Sequence, residues 1–224
     1  MTRIVNNCVA LVCLCLFWGQ SLRAADASHS EQIKWGNESV FNEEHNTLGL
    51  FSGVLGGQIV LAGGTSDDYS RWGRNAVCLS ENAGFALYED VLSKPLAYGA
   101  SITLSDGILC IGGRDSSQCY EDVFFVTMQQ GKLNVSEDWP PLPFPLSNAA
   151  GALLDNKVYL FGGRKSVSPS RLSDSFFVLD LSNKSRGWKE LPGYPGCVRE
   201  DAILVVQNNG VSPCLYLLLS LIHI

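Results

Sequence analysis

The side chains with the clearest chemical potential are arginines set beside glycine pairs. Arg114 follows Gly112-Gly113, and Arg164 follows Gly162-Gly163. A guanidinium presents a planar fork of donors that matches a carboxylate. Tyr98 and Asn148 hold equivalent places ahead of runs of small residues, and Arg199 and Asp201 hold that place a third time. Arg114, Arg164, Tyr98, Asn148 and Arg199 are therefore the candidate ligand contacts, with Asp201 beside them. Each has a plainer alternative. An arginine after a glycine pair can tie neighbouring repeats together through a salt bridge, and a polar residue leading into a strand can simply satisfy buried backbone groups. Other chemistries are hard to build. The histidines, at 29, 45 and 223, have no metal-ligand spacing, which disfavours a histidine-based zinc site or a Ser-His-Asp hydrolase. No glycine pair is followed by Lys-Ser or Lys-Thr, so no phosphate-cradling loop is present. No metal and no organic cofactor is implied. His45, Glu38, Glu43 and Glu44 read as solvated surface groups.

The elements that position these residues repeat. Short apolar runs end in glycine pairs at Ile59–Gly64, Ile108–Gly113 and Val158–Gly163. A second marker, W-x-x-L-P, occurs at Trp139–Pro143 and again at Trp188–Pro192. Strand-like runs lie between the markers at Asp122–Val126 and Asp174–Leu179. Two independent markers sharing a period of about 50 residues point to an all-β kelch-type β-propeller, one repeat per four-stranded blade. The glycine pair is expected to end the second strand, where the chain turns tightly. The tryptophan is expected to fill the space between blades. Innermost strands are expected to be rich in small residues, as in Asn148–Leu153. A fourth copy starts at Asp201–Val206 and continues at Cys214–Leu217, with a loop over Gln207–Pro213. About four of an expected six blades are present on this reading. The first repeat lacks a well-placed W-x-x-L-P, which marks it as degenerate or as a segment carrying sequence error.

The two ends fall outside that pattern. Arg3, the apolar run Val9–Trp18 and Ala25-Asp26-Ala27 read as a secretory signal over residues 1–27. The chain is then exported, periplasmic or secreted, with no membrane association once the signal is removed. Leu219–Ile224 matches one reading frame of CTGTCTCTTATACACATC, a transposase mosaic end used in preparing sequencing libraries. Residues 219–224 are therefore expected to be a sequencing artefact, and residues 28–218 a truncated propeller. Five cysteines remain after signal removal: Cys78, Cys110, Cys119, Cys197 and Cys214. Cys110 reads as a buried small hydrophobe. A Cys110–Cys119 bridge stays open, and Cys197 and Cys214 are not expected to pair. The sequons at Asn37, Asn134 and Asn183 matter only in a eukaryotic secretory route. The chain's 224 residues are 46% hydrophobic and carry a net charge of −6, which gives no electrostatic footprint for nucleic acid.

Three segments are more particular than generic kelch spacing: Gly53-Val54 with Ile59–Gly64, Lys94–Gly99, and Leu142–Ala152. On these, the chain resembles the cyclically permuted mutarotase family, relatives of bacterial N-acetylneuraminate epimerases. The resemblance covers roughly Leu48–Leu217. It implies a six-bladed propeller that speeds interconversion of sialic acid anomers, with a small sugar as its partner. The family's aromatic and lysine-rich segment after the first glycine pair is reduced here, over Thr65–Asp90. The glutamate and arginine thought to carry the family's chemistry would fall beyond residue 218. The catalytic residues are thus unknown, and the chain by itself is expected to be inactive and, as an open arc, prone to aggregate. The competing reading is a non-catalytic kelch propeller that binds a glycan or a protein. A glutamate and arginine after a fifth glycine pair would favour the enzyme.

Overall fold

The computed structural model describes residues 48–80, 84–193 and 200–218. The segments read as signal and as adapter-derived, together with Arg199 and Cys197, lie outside the described residues. Three four-stranded antiparallel sheets follow one another along the chain. The first holds β1 (Phe51–Leu55), β2 (Gln58–Ala62), β3 (Ala76–Ser80) and β4 (Gly84–Tyr88), paired in that order. The second holds β5 (Ala100–Thr103), β6 (Ile108–Ile111), β7 (Val123–Gln129) and β8 (Lys132–Ser136). The third runs β9 (Ala150–Leu154), β10 (Lys157–Phe161), β13 (Phe176–Asp180), β14 (Lys189–Leu191), with the small hairpin β11 (Arg164–Ser166) and β12 (Arg171–Leu172) inserted after its second strand. A fourth unit begins as the hairpin β15 (Ile203–Asn208) and β16 (Pro213–Leu218). The described residues thus form a partial kelch-type propeller: three complete blades and the first hairpin of another. The connecting turn of that hairpin is tighter than expected, because Gln207, Asn208 and Pro213 all join the ladder.

Alternation along the strands creates the cores. In β6, Ile108 and Cys110 pack in the cluster shared with the first blade, while Leu109 and Ile111 pack in the cluster shared with the third. A strand covered on both faces therefore reads as an unbroken apolar run. Each such fully buried side chain contributes roughly 1.5–3 kcal/mol. Trp139 and Trp188 sit against the second-to-third core, and the Trp188 indole donates to Pro140 O at 3.0 Å, tying one repeat to the next. The first blade lacks the W-x-x-L-P marker yet forms a complete four-stranded sheet. Its Leu92–Leu96 does the work of Leu142–Leu146 without a tryptophan: Leu92 N donates to Arg74 O, as Leu142 N donates to Glu121 O, both at 2.9 Å.

The glycine pairs do end the second strands, and all six glycines have positive φ. Space is as restrictive as conformation. A Cβ on Gly63 would lie 2.3 Å from Leu96 O, and one on Gly112 would lie 2.2 Å from Leu146 O. The following glycines bind the same carbonyls, Gly64 N to Leu96 O and Gly113 N to Leu146 O, each at 2.8 Å. The pair is therefore the hinge at which one blade grips the lead-in of the next.

No disulfide joins Cys110 and Cys119. Both are buried free thiols: Cys110 lies inside β6, and Cys119 Sγ is 3.4 Å from Ser147 Oγ. Burial pushes the Cys110 thiol far above its usual range.

Candidate functional site

The repeat places a set of equivalent residues around the inner strands. Thr65, Arg114 and Arg164, each following a glycine pair, bridge to Leu48, Ala97 and Ser147. The next residues, Gly49, Tyr98 and Asn148, with Asp201 of the fourth unit, all adopt left-handed backbone, with φ of 64°, 60°, 54° and 54°. They are chained by backbone bonds: Tyr98 N to Gly49 O at 2.7 Å, Asn148 N to Tyr98 O at 2.7 Å, and Asp201 N to Asn148 O at 3.1 Å. The innermost strands β1, β5, β9 and β15 neighbour one another in succession. The chained residues therefore form an arc at one end of those strands, around a cavity of about 190 Å³. Asparagine and aspartate tolerate this conformation, but a tyrosine there is uncommon. Such strained positions concentrate at sites that bind or react.

Tyr98 and Asn148 thus stand together, as equivalents on one arc. The Asn148 amide donates to Asp201 Oδ1 at 2.8 Å. The Tyr98 hydroxyl reaches Tyr69 Oη at 3.4 Å. Burial, and then that bond to Tyr69, hold the Tyr98 phenol protonated well above the ordinary tyrosine range. It can donate a hydrogen bond there but is no base at neutral pH.

The two arginines differ. Arg164 makes a two-pronged pair with Glu200, Nε to Oε2 at 2.7 Å and a terminal nitrogen to Oε1 at 2.6 Å. The Glu200 hydrogen bonds push its guanidinium further up. Glu200 leads into the fourth unit, so this contact ties blade to blade. Arg114 instead lies among three rings, its guanidinium carbon 4.7 Å from the Tyr98 centroid, 5.0 Å from Trp72 and 5.9 Å from Tyr69. Its Nε is buried and has no hydrogen-bond partner. A terminal guanidinium nitrogen donates a long bond to Asp115 O at 3.4 Å. Leaving a buried charged donor unpaired costs roughly 1–3 kcal/mol or more. Cation–π contact with three rings offsets part of that.

Tyr69, Trp72 and Glu200 were not among the residues singled out from sequence. Tyr69 and Trp72 come from the first-blade loop, the segment that looked poor in aromatics. The signal that could have found them is register: Trp72 bridges Thr65 as Cys119 bridges Arg114. Arg199 lies outside the described residues. Among the described residues, no group of three or more His, Cys, Asp or Glu is placed to hold a metal ion.

Comparison with known proteins agrees with this architecture. Residues 145–192 match the Kelch motif, a span that contains the whole third blade. The chain is 31% identical over 90 residues to an N-acetylneuraminate epimerase of Vibrio cholerae, covering 40% of this chain and 22% of that protein. It is 32% identical over 71 residues to the N-acetylneuraminate epimerase of Yersinia pestis, covering 32% and 16%. A Kelch domain-containing protein of Vibrio cholerae is 33% identical over 70 residues, covering 31% and 18%. The chain is a kelch-type propeller chain. More particularly, parts of it are similar to these epimerases and to this Kelch domain-containing protein, and its matches span about a fifth of the length of those relatives.

Proposed function

We propose that this chain is part of an exported propeller that interconverts the anomers of N-acetylneuraminate or a related sialic acid. The observation that carries the reading is Arg114, an incompletely paired guanidinium stacked on Tyr98, a residue that lines the axial cavity, in a chain whose relatives are named for this substrate. The amino-terminal apolar run supports export.

The reaction needs little machinery. A base takes the proton of the anomeric hydroxyl as the bond from the anomeric carbon to the ring oxygen breaks, giving a ketone. An acid protonates the released ring oxygen. Closure on the other face of the ketone reverses these steps. Arg114 would hold the sugar's carboxylate, and the Tyr98 hydroxyl would turn from Tyr69 to donate to one of the sugar's oxygens. The proton-transfer pair is expected from a blade beyond Leu218.

Further blades are supported by the faces left bare. Val54, Ile59 and Leu87 on the first blade are 46–50% exposed, whereas Ile108, the counterpart of Ile59, is 2% exposed. On this reading the 224-residue chain alone is inactive.

Two-dimensional exchange NMR on N-acetylneuraminate, with the full-length protein, tests the proposal. Cross-peaks between the anomers should grow in proportion to enzyme. An exchange rate equal to the spontaneous one across sialic acids would refute it and favour a propeller that only binds, as the likeness to a protein named simply for its kelch domain would allow.

A further inference from the structure

Arg114 and Arg164 occupy the same place in successive blades, yet only one has its carboxylate. For Arg164 it comes from Glu200, the residue just before the left-handed Asp201 of the following unit. The residue in that position relative to Arg114 is Ser147, just before the left-handed Asn148. Ser147 is 1% exposed and its hydroxyl lies against the Cys119 thiol, so it supplies no charge. Nearby carboxylates are committed elsewhere: Asp115 to Ser117, Gln118 and Tyr120, Asp122 to Lys94, and Asp201 to Asn148. Among the described residues no Asp or Glu forms an ion pair with Arg114. The chain has thus built an arginine into a position that elsewhere carries a two-pronged carboxylate pair, and left the carboxylate out.

We infer that Arg114 is a carboxylate-binding residue whose partner is the ligand's own carboxylate, taken up beside Tyr98 at the axial cavity. Tyr69, Trp72 and Tyr98 fix the guanidinium in advance, so little side-chain freedom is lost on binding. A planar fork prefers a two-oxygen carboxylate to its neutral ester. The inference rests on the proposed function for the identity of the ligand but not for the chemistry of the site.

The test is calorimetric binding of N-acetylneuraminate and of its methyl ester to the full-length protein. Loss of the carboxylate's negative charge should weaken the ester by about tenfold or more. Arg114→Ala should abolish that preference, so that acid and ester bind alike. Arg114→Lys should retain part of it, since charge remains without the fork. If Arg114→Ala fails to fold, Arg114→Lys carries the test, and an undiminished preference for the acid in that variant would overturn the inference. Equal binding of acid and ester by the unaltered protein, or a folded Arg114→Ala that keeps the preference, would overturn the inference. An Arg114-dependent preference in a protein that does not accelerate anomer exchange would uphold the site and defeat the enzymatic reading. Accelerated exchange with no role for Arg114 would do the reverse.

Discussion

Replacing Gly112 with alanine should be far more damaging than replacing an ordinary turn glycine. Gly112 has φ of 62°, and an L-residue there costs roughly 1–2 kcal/mol. The new methyl group would also lie 2.2 Å from Leu146 O. That carbonyl must retreat by most of an ångström, yet it accepts Gly113 N at 2.8 Å, and Leu146 is 1% exposed in the core. The retreat breaks the bond and strands a buried acceptor, adding about 1–3 kcal/mol. Gly131 is the control: its φ is 75°, but nothing lies within 4 Å of its added Cβ. Gly131→Ala should therefore cost only the conformational term, roughly 1–2 kcal/mol. Gly112→Ala should cost about 2–5 kcal/mol in total. Urea unfolding of the full-length protein, followed by fluorescence, gives both values from the midpoint shifts. Equal shifts for the two variants would refute the idea that the glycine pair is an inter-blade grip.

Other expectations follow from single contacts. Burial raises the Asp115 carboxyl, but the hydrogen bonds from Tyr120, Ser117 and Gln118 outweigh it and hold the group at about 2. A depressed folded value means that Asp115 stabilises above the unfolded carboxylate range near pH 4 and loses that contribution as pH falls towards 2. Tyr120→Phe, which removes the 2.6 Å bond, should raise the Asp115 titration midpoint measured by NMR. An unchanged midpoint would show that the backbone donors suffice. Under native conditions Cys78, Cys110 and Cys119 should resist thiol reagents while Cys214 reacts, as mass spectrometry of the labelled protein will show.

The blades were legible because their markers are backbone requirements. A pair of glycines at positive φ, pressed against the next blade's carbonyl, leaves little alternative at those positions, so the period survives in the sequence. The same register gives Tyr98, Asn148 and Asp201 equivalent places, and the fold chains them into one arc. What register could not give was the partner of each arginine. Arg164 meets Glu200 across 36 positions of chain, and Arg114 meets Tyr69 and Trp72 from a preceding blade's loop. Those meetings depend on how the blades curve round the axis, which no local pattern encodes. The first blade lacks the W-x-x-L-P marker, so its sequence reads as degenerate or as carrying error although the sheet forms. Leu92 and Leu96, both 2% exposed, keep the places of Leu142 and Leu146, and Tyr88 and Val91 pack against that core.

The most direct test is a crystal structure of the complete protein with N-acetylneuraminate bound. The sugar should lie at the axial cavity beside Tyr98 and Asn148, its carboxylate hydrogen-bonded to the Arg114 guanidinium. A sugar bound elsewhere, or one whose carboxylate is held by another cation while Arg114 keeps to its aromatic rings, would contradict the account.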